Sequence, residues 1–294
     1  MPNIAIVWDF DGTLTPQDST TIAAEILGAG TSKEFWDTIH KLKGDGDKKL
    51  KWQHILASDA PVWMYALSRI AFAKKIPLNA EFFEKFVKPK IELYPNVPAF
   101  LRKLKLLEEQ ELFKSADLKI HYFIVSAGLK DLVEQILPDD LITWTFGSRY
   151  RVNAFEGNPA QPESIPVFCM DETMKTRSLF EISKGSFKEE ENSVNRRVPP
   201  EKRWAPFENI IYVGDGDTDV PSLSLVRSQG GLGVAVYNPS APATKTNDRL
   251  KHMRLDQRTD LITPAKFDAS SELFEFLRAR CIQIALRYRA EQAI

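Results

Sequence analysis

Cysteine and histidine are scarce in this chain, and neither is spaced to hold a metal. Cys169 and Cys281 are the only two thiols in 294 residues and form no CxxC pair, which excludes a zinc ribbon and a disulfide framework. The four histidines, His40, His54, His121 and His252, share no ligand spacing. An excess of one charge is also missing. Lys and Arg number 39 against 40 Asp and Glu, a net charge of −1, so the electrostatic footprint of a dedicated nucleic-acid binder is absent. No apolar run approaches the ~18 residues a bilayer span requires. Met1-Pro2-Asn3 has no basic residue of the kind that opens a signal peptide, and Asp9 interrupts the apolar stretch that follows. The expectation is a soluble, cytoplasmic protein in a reducing compartment, with no nucleic-acid or membrane partner. Its 43% hydrophobic share is that of a globular chain, and its length suits one large domain or a core with a smaller companion.

What is present is a series of short, β-branched apolar runs. Ile4-Ala5-Ile6-Val7-Trp8 and the stretches 122–125, 210–213 and 234–237 are too short for helices and read as buried parallel strands. Helix-period stretches such as 131–137 and 175–182 lie between them. The fold class is therefore α/β, a three-layer Rossmann-like core around a parallel sheet. From Asp18 to about Phe100 the pattern is helical instead: Ile22, Ala23, Ile26 and Leu27, then Phe35, Ile39, Trp63, Leu67, Ile70 and Ala71. Turn signals punctuate it at 28–30, 44–46 and Pro77. This predicts a separate helical subdomain at 18–95, inserted into a core made of 1–17 and 96–294. The stretch 150–166, rich in Asn, Gly and Pro, is expected to form a hairpin and loop. Residues 183–206 are expected as a polar, solvated loop. Ser270 or Ser271 is placed to cap a last helix carrying Leu273, Phe274, Leu277 and Cys281.

The chemistry gathers at the ends of the predicted strands. Asp9-Phe10-Asp11-Gly12-Thr13 directly follows the first run and puts two carboxylates where the chain must turn. Gly12 lets the backbone bend closely around a ligand. Gly214-Asp215-Gly216-Asp217-Thr218-Asp219 repeats that arrangement after 210–213. With both strands adjacent in one sheet, Asp9, Asp11, Asp215 and Asp219 would meet at one edge. Carboxylates ~4 Å apart repel by on the order of 1–4 kcal/mol per pair in water-like to surface-like dielectrics. Such a cluster needs protons or a cation, and oxygen-only ligands favour Mg²⁺ over zinc or copper. Ser126-Ala127-Gly128 adds a hydroxyl and backbone N–H groups at the same edge, and Lys175 opens a helical stretch. A fixed cation and small donors beside a metal suit a phosphoryl group. Look-alike motifs fail on spacing. An EF-hand loop begun at Asp215 has Val226, and one begun at Asp9 has Thr20, where a bidentate Glu belongs. Gly230-Gly231-Leu232-Gly233 precedes a strand rather than a helix, and Gly44-Asp45-Gly46-Asp47 has no strand before it.

The order Asp-x-Asp-Gly-Thr, Ser, Lys, Gly-Asp-x-x-x-Asp resembles the haloacid dehalogenase superfamily, and within it the phosphoserine-phosphatase-like members with a helical cap. The resemblance spans nearly the whole core. It implies Asp9 as a nucleophile that forms an aspartyl-phosphate, with Asp11 first protonating the leaving group and then activating water. It implies Ser126, the Gly128 N–H and Lys175 on the phosphoryl oxygens. Mg²⁺ would sit between the Asp9 carboxylate, the Asp11 carbonyl and Asp215, with Asp219 a ligand or a partner behind one. The residues suit these roles on their own chemistry, a carboxylate nucleophile beside an acid–base group. The expected activity is Mg²⁺-dependent hydrolysis of a small phosphomonoester. A phosphotransferase with the same intermediate and a catalytically silent binding protein stay open as alternatives.

Two residues bear on the substrate. Arg69, the one arginine in 16–100, is a candidate carboxylate clamp. Asp18 lies nine residues after Asp9, where the resembled phosphatases carry a glutamate that meets an ammonium group. Each also has a plainer role at hand, Arg69 as a solvated helix residue and Asp18 as a helix N-cap. Gly12 and Thr218 depart from the serine and asparagine usual in the phosphoserine enzymes.

Overall fold

The computed structural model describes residues 3–44, 58–153, 160–188, 194–242, 250 and 257–292. At its centre is a seven-stranded sheet in the order β4-β3-β2-β1-β5-β6-β7. The strands are β1 (Asn3–Trp8), β2 (Lys119–Leu129), β3 (Ile142–Val152), β4 (Ser164–Phe168), β5 (Ile210–Gly214), β6 (Leu232–Tyr237) and β7 (Leu261–Pro264). Neighbours pair parallel except β3 with β4. Every residue of β1 and β5 is buried. Such strands have no wet face, which is why they read as continuous apolar runs. Ile4, Ile6 and Trp8 enter one hydrophobic cluster and Ala5 and Val7 the other, so alternate side chains of β1 serve the two sides of the sheet.

Helices complete the three layers. On the first side lie α5 (Val97–Lys105), α6 (Glu111–Ser115) and α10 (Glu272–Gln292), whose Phe100, Phe113 and Leu277 join Trp8. On the other lie α8 (Glu172–Lys184) and α9 (Val220–Ser228), through Leu179, Ile182, Leu223 and Val226. Helix α7 (Lys130–Ile136) joins β2 to β3. Ser271 Oγ accepts from the Phe274 N–H at 3.2 Å and caps α10, as the sequence predicts. Both cysteines are free; burial pushes the Cys281 thiol up to about 12.

Between β1 and β2 the chain builds α1 (Ser19–Ile26), α2 (Ser32–Leu42), α3 (Asp59–Ala73) and α4 (Ala80–Phe82), the helical insertion expected after the first strand. A capping box of Thr31 and Glu34 starts α2. The two connections to the sheet hold each other. Thr15 Oγ1 donates to the Glu92 carbonyl at 2.7 Å, and Gln17 Nε2 to the Lys90 carbonyl at 2.9 Å. The Glu92 N–H donates back to Gln17 Oε1 at 2.7 Å, and the Tyr94 N–H to the Leu14 carbonyl at 2.9 Å.

A hairpin does form around 150–166, but its first strand starts well before Tyr150. Ile142, Trp144 and Phe146 alternate with Thr143 and Thr145, a period-two signal rather than a continuous apolar run. Pairing of β3 with β2 ends at Ser148, and the rest of β3 pairs with β4. The hairpin grips α3: Tyr150 Oη donates to the Met64 carbonyl at 2.7 Å and Ser68 Oγ to the Ser164 carbonyl at 2.5 Å. Strand β7 also goes beyond the sequence expectation, being four residues long and ending in proline. His121 is a packing residue, bonded to Asn3 and Thr143 against the Trp204 ring. His54, His252, residues 45–47 of the expected acidic turn and residues 189–193 lie outside the described residues. The segment 183–206, expected as a solvated loop, is not solvated throughout: Phe187 and Ala205 are buried in the core and Trp204 packs beside them, apolar side chains enough to anchor both ends. Among the described residues no helix is long and apolar enough to cross a membrane.

Candidate active site

Strands β1 and β5 are adjacent, and the Asp9 N–H donates to the Val213 carbonyl at 2.8 Å, so the two acidic loops leave the sheet side by side. From there the chain runs toward β2 on one side and β6 on the other, the topological switch point at which α/β sheets open a crevice. Gly12 sits in the left-handed region at φ +77°, and a Cβ on it would lie 2.2 Å from Asp215 Oδ2. Only a glycine lets the first loop come this near the second.

The floor of the crevice is a row of charges. Asp9 is 5% exposed, Lys175 1% and Asp219 0%. Lys175, in the first turn of α8, reaches Asp9 Oδ1 at 2.9 Å and Asp219 Oδ1 at 2.7 Å through Nζ. The turn itself is fixed by Asp171, whose side chain accepts from the Met174 N–H. Asp219 takes three further donors: the Tyr212 hydroxyl at 2.7 Å on Oδ1, and the Asp215 and Gly216 N–H groups at 3.1 and 3.0 Å on Oδ2. Four donors fill the acceptor capacity of a carboxylate, so Asp219 anchors Lys175 and the loop. Carboxylate oxygens of Asp9, Asp215 and Asp219 lie within 4.8 Å of one another.

Electrostatics follow from that packing. Burial raises the Asp9 pKa well above the carboxylate range, the charges of Asp219 and Asp215 add to it, and Lys175 opposes it. Burial works against the Lys175 ammonium, but Asp219 and Asp9 outweigh it and hold its pKa above the usual lysine value.

Asp11 has a separate support. Its Oδ1 accepts from the Ser19 N–H at 3.0 Å and its Oδ2 from Ser19 Oγ at 2.9 Å, at the start of α1. Burial, then the charge of Asp18, lifts its pKa to about 7, against the pull of the Ser19 bonds. Ser126 lies in the irregular end of β2, with its Oγ accepting from the Gly128 N–H at 3.0 Å. Ser148 Oγ donates to the Ala127 carbonyl at 2.9 Å and accepts from the Met170 N–H at 3.0 Å, tying that bulge to the segment before α8. A Cβ on Gly128 would lie 3.0–3.2 Å from Ser19 Oγ, Asp11 Oδ2 and Ser126 Oγ, so these three groups converge there.

Residues 6–224 match the haloacid dehalogenase-like hydrolase family. The chain belongs to that family. A protein of Borreliella burgdorferi described as uncharacterized is 26% identical over 240 residues, covering 76% of this chain and 79% of that one. Among solved structures, a phosphoserine phosphatase holding an analogue of its phospho-aspartyl intermediate aligns with a TM-score of 0.50 at 19% identity, over 95% of this chain and 99% of that one. An L-2-haloacid dehalogenase from Xanthobacter autotrophicus gives 0.45 at 15% identity, over 95% and 98%. At 19% identity the likeness to the phosphoserine phosphatase is one of fold.

Within this haloacid dehalogenase-like hydrolase the sequence-expected residues fall into three groups. Asp9, Lys175, Asp215 and Asp219 share the charged row, and Asp11, Ser126 and Gly128 stand beside it, although the Gly128 N–H is engaged by Ser126. Asp18 is exposed and caps α1: its side chain accepts from the Thr21 N–H at 3.0 Å, Thr21 Oγ1 at 2.8 Å and Trp36 Nε1 at 3.3 Å. Arg69 is exposed on α3 with its guanidinium over the Phe72 ring, 5.2 Å from the centroid. Both show the plainer role. Ser19, Ser148 and Tyr212 also support the site and are not among the residues expected from the sequence. Tyr212 alone left a trace there, as a hydroxyl set three residues before Asp215 in an otherwise aliphatic strand.

Proposed function

We propose that this hydrolase is a Mg²⁺-dependent phosphatase that moves the phosphoryl group of a small phosphomonoester first to Asp9 and then to water. The observation that carries the reading is the buried Asp9–Lys175 contact with a second carboxyl, Asp11, held apart on Ser19. Lys175 takes one Asp9 oxygen and leaves the other to attack phosphorus, a carboxylate nucleophile splitting one hard displacement into two. Lys175 and the Ser126 hydroxyl are the groups that orient the phosphoryl oxygens. Asp11 gives its proton to the ester oxygen as it leaves and takes one from water in the second step. A carboxyl with a pKa of about 7 is suited to both. It also favours an ester over a halide, whose departure needs no proton.

The site also fits a divalent cation. Asp9, Asp215 and Asp219 bring three carboxylates against the single ammonium of Lys175, and every donor is oxygen, the set that Mg²⁺ prefers. Asp9, the Asp11 carbonyl and Asp215 would hold it, with Asp219 behind them. When bound it neutralises charge on the phosphoryl group. The helical insertion, 18–95 on the sequence reading, is proposed as a cap that keeps water out during the first step and selects a small, soluble phosphomonoester.

Phosphate release from an aryl phosphate and a panel of small phosphomonoesters, in Mg²⁺ or EDTA, tests the reading. Release that needs Mg²⁺ is expected, and none from a folded protein would overturn it. Gly12→Ala is expected to lower that release by about 10²-fold through displacement of the Asp215 loop. Its Tm should fall by only a few degrees, since one residue forced to positive φ costs ~1–2 kcal/mol. An alanine variant with full turnover would show that the two loops need not approach so closely.

A further inference from the structure

Tyr212 lies fully buried in the middle of β5, among Ile210, Ile211 and Val213. Its ring packs in the hydrophobic cluster with Phe123, Phe207 and Leu223, where a phenylalanine would fill the same space. A hydroxyl in such surroundings is costly unless bonded, and this one donates to Asp219 Oδ1 at 2.7 Å. The same oxygen accepts from Lys175 Nζ at 2.7 Å, and Lys175 continues to Asp9 Oδ1 at 2.9 Å. The result is a buried row of Tyr212, Asp219, Lys175 and Asp9, with a phenol at one end and the proposed nucleophile at the other.

We infer that Tyr212 is a positioning residue for the hydrolase reaction: its hydroxyl holds Asp219 so that Lys175 is shared with Asp9 instead of being captured by Asp219. The inference rests on the reading of Asp9 as the nucleophile. An oxygen that serves two donors binds each less strongly than one that serves a single donor. Without the phenol, Asp219 Oδ1 faces the ammonium alone, and that charge-assisted bond tightens at the expense of the Asp9 contact. Asp219 cannot turn to compensate, because the Asp215 and Gly216 N–H groups hold its other oxygen. Tyrosine suits the task because its ring is locked by packing and places the donor with only two rotatable bonds. The ammonium has to stay on the Asp9 side as charge builds on the phosphoryl group, so the loss falls on the chemical step rather than on substrate binding.

The test compares Tyr212→Phe with Tyr122→Phe. Tyr122 is equally buried, on β2, and its hydroxyl donates to the Leu101 carbonyl at 2.8 Å, so both variants lose one bonded phenol. With an aryl phosphate, Tyr212→Phe is expected to lose about tenfold in kcat with KM within about twofold, the scale of one hydrogen bond to a charged group. Tyr122→Phe keeps the wild-type kcat. A readout without turnover is the ¹⁵N resonance of the buried Lys175 ammonium, identified by its absence in Lys175→Met. It moves in Tyr212→Phe and stays in place in Tyr122→Phe. Equal kcat in the two variants, or an unmoved Lys175 signal, overturns the inference. A wild-type protein that releases no phosphate overturns the phosphatase reading instead, and the ammonium signal then still decides whether Tyr212 positions Lys175.

Discussion

Asp9→Asn is expected to abolish phosphate release, by about 10⁴-fold or more, while leaving the metal-free protein as stable as the wild type or more so. The amide keeps the shape and an oxygen for Lys175, but it cannot attack phosphorus. The effect on stability has the opposite sign because the native carboxylate is held at a cost. Burial first, then the charge of Asp219, raises its pKa above the unfolded value, with Lys175 only partly offsetting them. A group whose folded pKa is raised contributes stability at acid pH, and that contribution is lost as pH rises through the folded pKa. As pH rises and the carboxyl ionises, the wild-type site therefore carries a burden the variant lacks. The Tm difference in EDTA should favour Asp9→Asn increasingly as pH rises and shrink as pH falls and the wild-type carboxyl takes up its proton. Added Mg²⁺ should raise the wild-type Tm more than that of the variant. Surviving turnover would move the nucleophile elsewhere. A variant many degrees less stable at pH 8 would mean that the Asp9–Lys175 pair is a net structural asset.

The site's carboxylates were legible because they combine residue type with position after an apolar run, and Lys175 through its place in the motif order. Asp9 and Asp215 follow strands that are buried on both faces, each with a second carboxylate a few residues on. Their convergence needed only the adjacency of β1 and β5, which the fold supplies. Ser19 was not legible as more than a helix-start residue, because its contact with Asp11 depends on how α1 leaves the sheet. Tyr212 looked like strand packing, and its hydroxyl acquires a partner only once Asp219 folds back over β5. Ser148 was hidden by a broader difficulty. Strand β3 alternates apolar and polar residues and then leaves β2 to pair with β4, so no run marks it. For Asp18 and Arg69 the sequence offers two roles each, and local geometry displays the plainer one: Asp18 caps a helix and Arg69 covers a ring.

Lys175→Met is expected to be the most damaging single change to stability within the site, and to remove turnover with it. Methionine matches the length of the lysine stem, so packing is nearly conserved and the lost quantity is the charge. Asp9 and Asp219 would then face each other unpaired in a dry crevice, with Asp215 close by. Breaking a buried pair from one side costs about 3–5 kcal/mol, roughly 10 °C in Tm for a domain of this size. Asp9, whose pKa burial already raises, can escape part of the cost by taking up a proton. The loss should therefore shrink as pH falls. Adding Asp219→Asn removes one of the two stranded charges, while the amide oxygen can still accept the Asp215 and Gly216 N–H groups. The double variant should therefore recover much of the Tm, a non-additivity expected of groups that share one partner. It should recover no turnover, because no ammonium is left to face the phosphoryl oxygens. Recovery of both together would make Lys175 a structural counter-ion alone. Recovery of stability without activity assigns it two separable tasks, quieting the carboxylates in the resting site and serving the phosphoryl group in the working one.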